Sequence, residues 1–94
     1  VKTIITVVAE VFGVSVGEML SDRRFRNLTS ARQVAAHLIH EVTSRSLPQI
    51  GADLGGRDHT TILHALRVMP GKIANDEELA ERVERIRERL EVAL

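Results

Sequence analysis

The chain has 94 residues, room for one modest domain with one core, and its 44% apolar and 28% charged residues form a globular mix that argues against disorder. Charges interrupt every helix-length stretch, so no segment is apolar enough to span a bilayer, and no secretory signal is expected. With no cysteine, disulfide frameworks, thiolate nucleophiles and cysteine-ligated metal sites are excluded, which fits a reducing compartment and an expected cytoplasmic location.

Two Phe are the only aromatic residues, so a platform for stacking single-stranded bases is nearly ruled out, and any nucleic acid bound is expected to be duplex. The formal charge is zero, with 13 Lys and Arg against 13 Asp and Glu, but the charge is unevenly placed. Through Lys72 there are nine basic and six acidic residues, a balance of +3, whereas Ile73 to Leu94 holds four and seven, a balance of −3. Such asymmetry says more about partners than the net charge does.

In chain order, Lys2 to Phe12 places Ile4, Ile5, Val8, Val11 and Phe12 at helical spacing before a stop at Gly13. Its β-branched residues make it a weak helix alone, so packing must hold it. Ser15 caps a short helix that turns Val16, Met19 and Leu20 inward. The span 21–28 reads as a basic loop carrying Arg23, Arg24 and Arg26. A helix starting at Thr29 or Ser30, with Ser30 and Gln33 as a capping box, then runs to about Thr43. Leu28, Ala31, Val34, Ala35, Leu38, Ile39 and Val42 form its apolar stripe, which leaves Arg32, Gln33, His37 and His40 off it.

Ser46, Pro48 and Gln49 mark the next helix start, and Gly55 and Gly56 end that helix at a sharp turn. Asp58 caps the following helix, which buries Ile62, Ala65, Leu66 and Met69, points Thr60, Leu63, His64 and Arg67 outward, and is expected to stop at Pro70 and Gly71. The last helix, about 76–93, is amphipathic, with Leu79, Val83, Ile86, Leu90 and Ala93 on one side. No strand signal competes. The reading is all-α, one domain over 1–94, with five or six helices.

Two helices joined by a glycine turn, the second short and opening on Asp58, His59, Thr60 and Thr61, describe a helix-turn-helix over about 46–69. The second helix of that motif enters the major groove, where a carboxylate accepts from cytosine or adenine amino groups and a threonine methyl meets a thymine methyl. A helix pair with a glycine turn is also common in proteins that bind no DNA, and the basic loop tips the balance. Arg23, Arg24 and Arg26, followed by Arg32 and Gln33, supply phosphate contacts and one minor-groove insertion. His37 and His40 share a helix face but have no third ligand, so no metal site is expected. Asp58, His59 and Thr61 are neighbours on one helix and do not converge as a catalytic triad, and no G-x-x-x-x-G-K-[ST] loop is present. No catalytic residue is assigned.

The run SLPQIGADLGGRDHTTILHA, Ser46 to Ala65, resembles the signature of the bacterial DnaA family of chromosomal replication initiators, in its C-terminal duplex-binding domain, and GGRDHTT is its most specific part. RRFRNLTSARQVA and VVAEVFGVSVGEMLS are similar to that domain's basic loop and opening helices, and the likeness weakens after Lys72. The resemblance implies Arg24 as the minor-groove arginine, and Asp58, His59, Thr60 and Thr61 as major-groove readers, with Leu47 and Pro48 against a thymine methyl. It implies Arg32 and Gln33 as backbone contacts and Arg57 beside the readers on bases or backbone. Arg23, Arg26, His40 and Arg67 complete the expected backbone set. The implied target is the DnaA box, an asymmetric duplex element resembling TTATCCACA.

Several positions depart from the family pattern. Asp22 stands where a basic residue is usual, Ala31 replaces a common proline, and His37 and Leu54 replace aromatics. His40 takes a position often held by a permanent cation, and Pro70 is expected to shorten the recognition helix. None touches the base-reading run, so affinity is affected more than target.

The resemblance also implies that the family's ATPase, with its ATP or ADP and Mg, lies upstream in a longer protein, so this chain is expected to be a fragment without cofactor. The domain is expected to act as a monomer near the nucleoid. The alternatives are another helix-turn-helix transcription regulator reading a symmetric operator, or a helical adaptor using the final helix as an interaction seam. Salt discriminates the adaptor, because binding through several phosphates falls steeply with ionic strength and an apolar helix interface does not.

Overall fold

The computed structural model describes residues 1–93 and contains six helices: α1 Lys2–Phe12, α2 Val16–Leu20, α3 Arg26–Val42, α4 Leu47–Asp53, α5 His59–Asn75 and α6 Glu77–Ala93. α3 is the central element, buried between α1 and α5, with Leu28, Ala31, Val34, Ala35, Leu38 and Ile39 all inside. α1 presses Ile4, Ile5, Val8 and Phe12 onto α3 and α6, which supplies the packing its β-branched sequence needs. α6 returns Val83, Ile86 and Leu90 to the same core, and Arg87 and Arg89 tie it to Glu41 of α3 and Glu10 of α1. Leu94 and the side chains of Val92 and Ala93 lie outside what the structure describes, so the expected place of Ala93 on the apolar side of α6 falls there too.

Local signals placed several helix starts. Ser15 and Glu18 form a capping box at α2, Ser46 and Gln49 another at α4, and Asp58 accepts the Thr60 amide at α5. Several expectations need correction. In α2 only Met19 is buried, while Val16 and Leu20 are 36% and 37% exposed, because a five-residue helix has room for one inward residue.

The basic loop is shorter than 21–28, since α3 begins at Arg26 and the Ser30–Gln33 box does not form. Leu28, 1% exposed, reaches the core from a position one turn before Ala31 only if the helix has already started. The first turn is closed by the Thr29 amide on the Phe25 carbonyl, and Asn27 is held by the Phe12 carbonyl. At the other end Val42 is 56% exposed, beyond the reach of the stripe.

Finally, Pro70 and Gly71 do not stop α5, which runs on to Asn75 with the proline on its exposed side. Proline withholds one amide from the ladder, but Met69 on one side of it is buried and Ile73 on the other packs on the core. Tertiary packing holds the helix on both sides of the proline. The chain then turns at once into α6, where Asp76 accepts the Leu79 amide.

Candidate nucleic-acid interface

The turn between α4 and α5 depends on two glycines with different jobs. Gly51, inside α4, accepts the amides of Gly56 and Arg57 on its carbonyl, and a Cβ there would lie 2.1 Å from the Arg57 carbonyl oxygen. Its missing side chain is what lets α4 sit against the entry to α5. Sequence reading did not single it out; its signal was an isolated glycine inside a helical pattern. Gly55 has φ +89°, and a Cβ on it would approach the Leu20 carbonyl oxygen to 2.2 Å. The turn is therefore packed against the end of α2, where the basic loop begins.

That loop, Ser21 to Phe25, is held from beneath by Arg32. Arg32 is 9% exposed, and its guanidinium donates to four carbonyls: Met19 at 2.8 Å, Arg23 at 2.6 Å, Glu18 at 3.0 Å and Ser21 at 2.8 Å. The first and third belong to the last turn of α2, where carbonyls lack helical partners. Arg57 donates to the Ser21 carbonyl from the other side. Burial, followed by the positive charges of Arg57 and Arg24, lowers the Arg32 pKa from the ordinary arginine value, but a guanidinium remains charged in proteins. Arg32 was expected on the surface, off the apolar stripe and against phosphate. It lies inside, and most of its donors are spent on the loop backbone.

The result is an open cleft of about 500 Å³ between the loop, α3 and the start of α5. Arg24 lines it from the loop, Gln33 from α3, and Arg57, Asp58, Thr61 and His64 from the turn and α5. Residues 24, 33 and 58, far apart in the chain, thus share one concavity. His64 lines the cleft and Thr60 is exposed at the start of the same helix. His64, outward on the helical pattern but not among the expected site residues, belongs to the cleft; its spacing of three from Thr61 is the signal that marks it. Asp22 also lines the cleft and opposes the local positive charge.

At the start of α5, Oδ1 of Asp58 accepts the Thr60 amide at 3.0 Å and the Thr60 hydroxyl at 3.1 Å, and lies 3.2 Å from His59 Nδ1. The hydrogen bond from the Thr60 amide, then that from its hydroxyl, lowers the Asp58 pKa below the ordinary carboxylate value. The carboxylate is an acceptor at neutral pH, with Oδ2 outside this local set. Thr60 has its hydroxyl directed to Asp58, so its methyl is the group available to an apolar neighbour.

The remaining predicted residues do not line this cleft. His59, Thr60 and Arg67 are exposed on α5, Arg23 on the loop and His40 near the end of α3. Pro48 is exposed on α4, while Leu47 packs partly on the core. Arg26 lines a different groove, with Phe12 and Lys72. His37 is half-buried, and burial lowers its pKa below the usual histidine value. Among the described residues no group of three or more His, Cys, Asp or Glu is placed to hold a metal ion.

A short helix, a glycine turn and a polar-fronted second helix beside a cationic loop define a helix-turn-helix domain, the class whose second helix reads the major groove. The family model described as the bacterial dnaA protein helix-turn-helix matches residues 1–68. The chain is 45% identical over 91 residues, 97% of its length, to the chromosomal replication initiator protein DnaA of Rhodopseudomonas palustris (strain BisB18). It is 46% identical over 87 residues, 93% of its length, to the protein of that name from Mesorhizobium japonicum, and 46% over 84 residues, 89%, to that from Xanthobacter autotrophicus. It spans only 19%, 18% and 17% of those three relatives. The chain belongs to the bacterial DnaA helix-turn-helix family, and what it matches is that domain rather than the ATPase. Among the described residues no helix is long and apolar enough to cross a membrane.

Proposed function

We propose that this domain binds duplex DNA at DnaA boxes and so contributes to initiation of chromosome replication as the DNA-binding end of a longer cytoplasmic initiator. The observation that carries this is the shared cleft, which is lined together by Arg24 of the loop, Gln33 of α3, Asp58 at the cap of α5, and Thr61 and His64 of α5. A duplex seated there offers its major groove to α5 and the adjoining minor groove to Arg24. Asp58 accepts from a base amino group, His59 and Thr61 flank it, and the Thr60 methyl meets a thymine methyl. Leu47 and Pro48 add the outer apolar contact. Arg23, Arg26, Gln33, His40, Arg57 and Arg67 lie on the backbone and set the register. Arg32 serves the same end indirectly, by shaping the loop. One asymmetric cleft suits one asymmetric box, read by a monomer.

Fluorescence anisotropy with a labelled duplex carrying one TTATCCACA element, beside a scrambled duplex of the same composition, tests this reading. The expected preference for the box at physiological salt is about 10³ or more. Equal binding to both would reduce the domain to a generic basic binder, and no binding would return the adaptor reading. Thr60→Ala is expected to cost about 1 to 3 kcal/mol on the box and little on the scrambled duplex. Thr60→Ser, which keeps the hydroxyl on Asp58 but removes the methyl, is expected to lose as much. Full retention by the serine variant would show that the methyl is not what reads the base.

A further inference from the structure

The family match ends at residue 68, but α5 continues through Pro70 and carries Lys72 alongside α3. There Lys72 Nζ donates to Gln33 Oε1 at 2.8 Å, a contact between residues 39 apart in the chain. An ammonium group only donates, so it is the amide oxygen of Gln33 that faces it, and both N–H groups of that amide remain free to donate elsewhere. Gln33 lines the cleft described above. Lys72 lines a second groove of about 730 Å³, with Arg26, Ser30 and Asn75 among its walls. The hydrogen bond therefore joins two concavities, the first lined by Arg24 and Gln33 and the second by Lys72 and Arg26.

The acidic residues of the second groove are engaged elsewhere. Glu78 is paired with Arg82 at 2.9 Å, and Asp76 caps α6 through the Leu79 amide. Lys72 itself is exposed. We propose that Lys72 is a DNA-backbone contact and the positioning residue for Gln33, extending the duplex interface beyond Pro70 into the second groove. The proposal rests on the duplex-binding reading above. Lys72 orients the Gln33 amide so that its donors face phosphate, and adds one cation of its own to the phosphate track.

The test is anisotropy over a series of salt concentrations with the box and scrambled duplexes, using wild type, Lys72→Met, Lys72→Arg, Gln33→Ala and the Lys72→Met/Gln33→Ala pair. Lys72→Met is expected to weaken both duplexes alike and to make the salt slope shallower by about one, with Lys72→Arg restoring the slope. Gln33→Ala is expected to cost less in the Lys72→Met background than in wild type, because the amide is already misdirected. An unchanged slope for Lys72→Met overturns the backbone contact, and strictly additive losses overturn the positioning role. Failure of the wild type to prefer the box overturns the box reading instead, while the slope on the scrambled duplex still judges Lys72. Thermal unfolding of each variant separates a folding loss from a binding loss.

Discussion

Arg32→Lys is expected to lower stability by about 3 kcal/mol, a fall in Tm on the order of 15 °C for a domain of this size. The substitution keeps the positive charge, so the loss comes from geometry. Arg32 spreads its donors over four carbonyls from Glu18, Met19, Ser21 and Arg23, whereas lysine carries all its donors on one nitrogen and reaches only part of that set. Hydrogen bonds from a charged donor contribute about 1.5 to 3 kcal/mol each, and the carbonyls left behind are partly or fully shielded from water. With its brace gone, the loop that presents Arg24 is expected to loosen, and box preference to fall with it. Circular dichroism melting and box-against-scrambled anisotropy check both effects. A lysine variant as stable as wild type would show that Arg32 contributes only its charge, as a phosphate contact does.

Gly55→Ala is expected to destabilise the domain by a similar amount, about 3 kcal/mol, from two sources acting together. The positive φ of +89° disfavours any side chain, and the new Cβ would lie 2.2 Å from the Leu20 carbonyl oxygen, which is backbone and cannot swing away. Gly56 is the internal control. It has nearly the same φ, +85°, but open space where a Cβ would stand, so Gly56→Ala is expected to show the conformational cost alone, about 1 to 2 kcal/mol. Chemical denaturation of both variants checks the difference. Equal losses would mean that the contact between the glycine turn and the end of α2 contributes nothing. Because that contact seats the loop beside α5, Gly55→Ala is also expected to reduce box preference beyond its effect on stability.

The two variants probe one structural relation, the seating of the basic loop against the helix-turn-helix. Arg32 fastens the loop to α3, Arg57 fastens it to the turn, and Gly55 lets the turn come close enough. On the proposed reading, the residues at the start of α5 and Arg24 of the loop can serve one duplex only while this spacing holds.

What the sequence determined by itself lies within a few residues of each position. The caps at Ser15, Ser46 and Asp58, the glycine turn, the apolar stripe of α3 and the exposed polar start of α5 were all legible, because each depends on hydrogen bonds or side-chain spacing between near neighbours. The GGRDHTT run made the family legible as well. Only the tertiary structure decided where Arg32 goes, since its partners belong to another helix and to the loop it supports. It also decided that α3 starts at Arg26, because burial of Leu28 outweighs the local capping signal at Ser30. It carried α5 through Pro70, because packing of Met69 and Ile73 outweighs one missing backbone amide. These outcomes share a cause: local preferences are weak, and burial against distant elements overrides them.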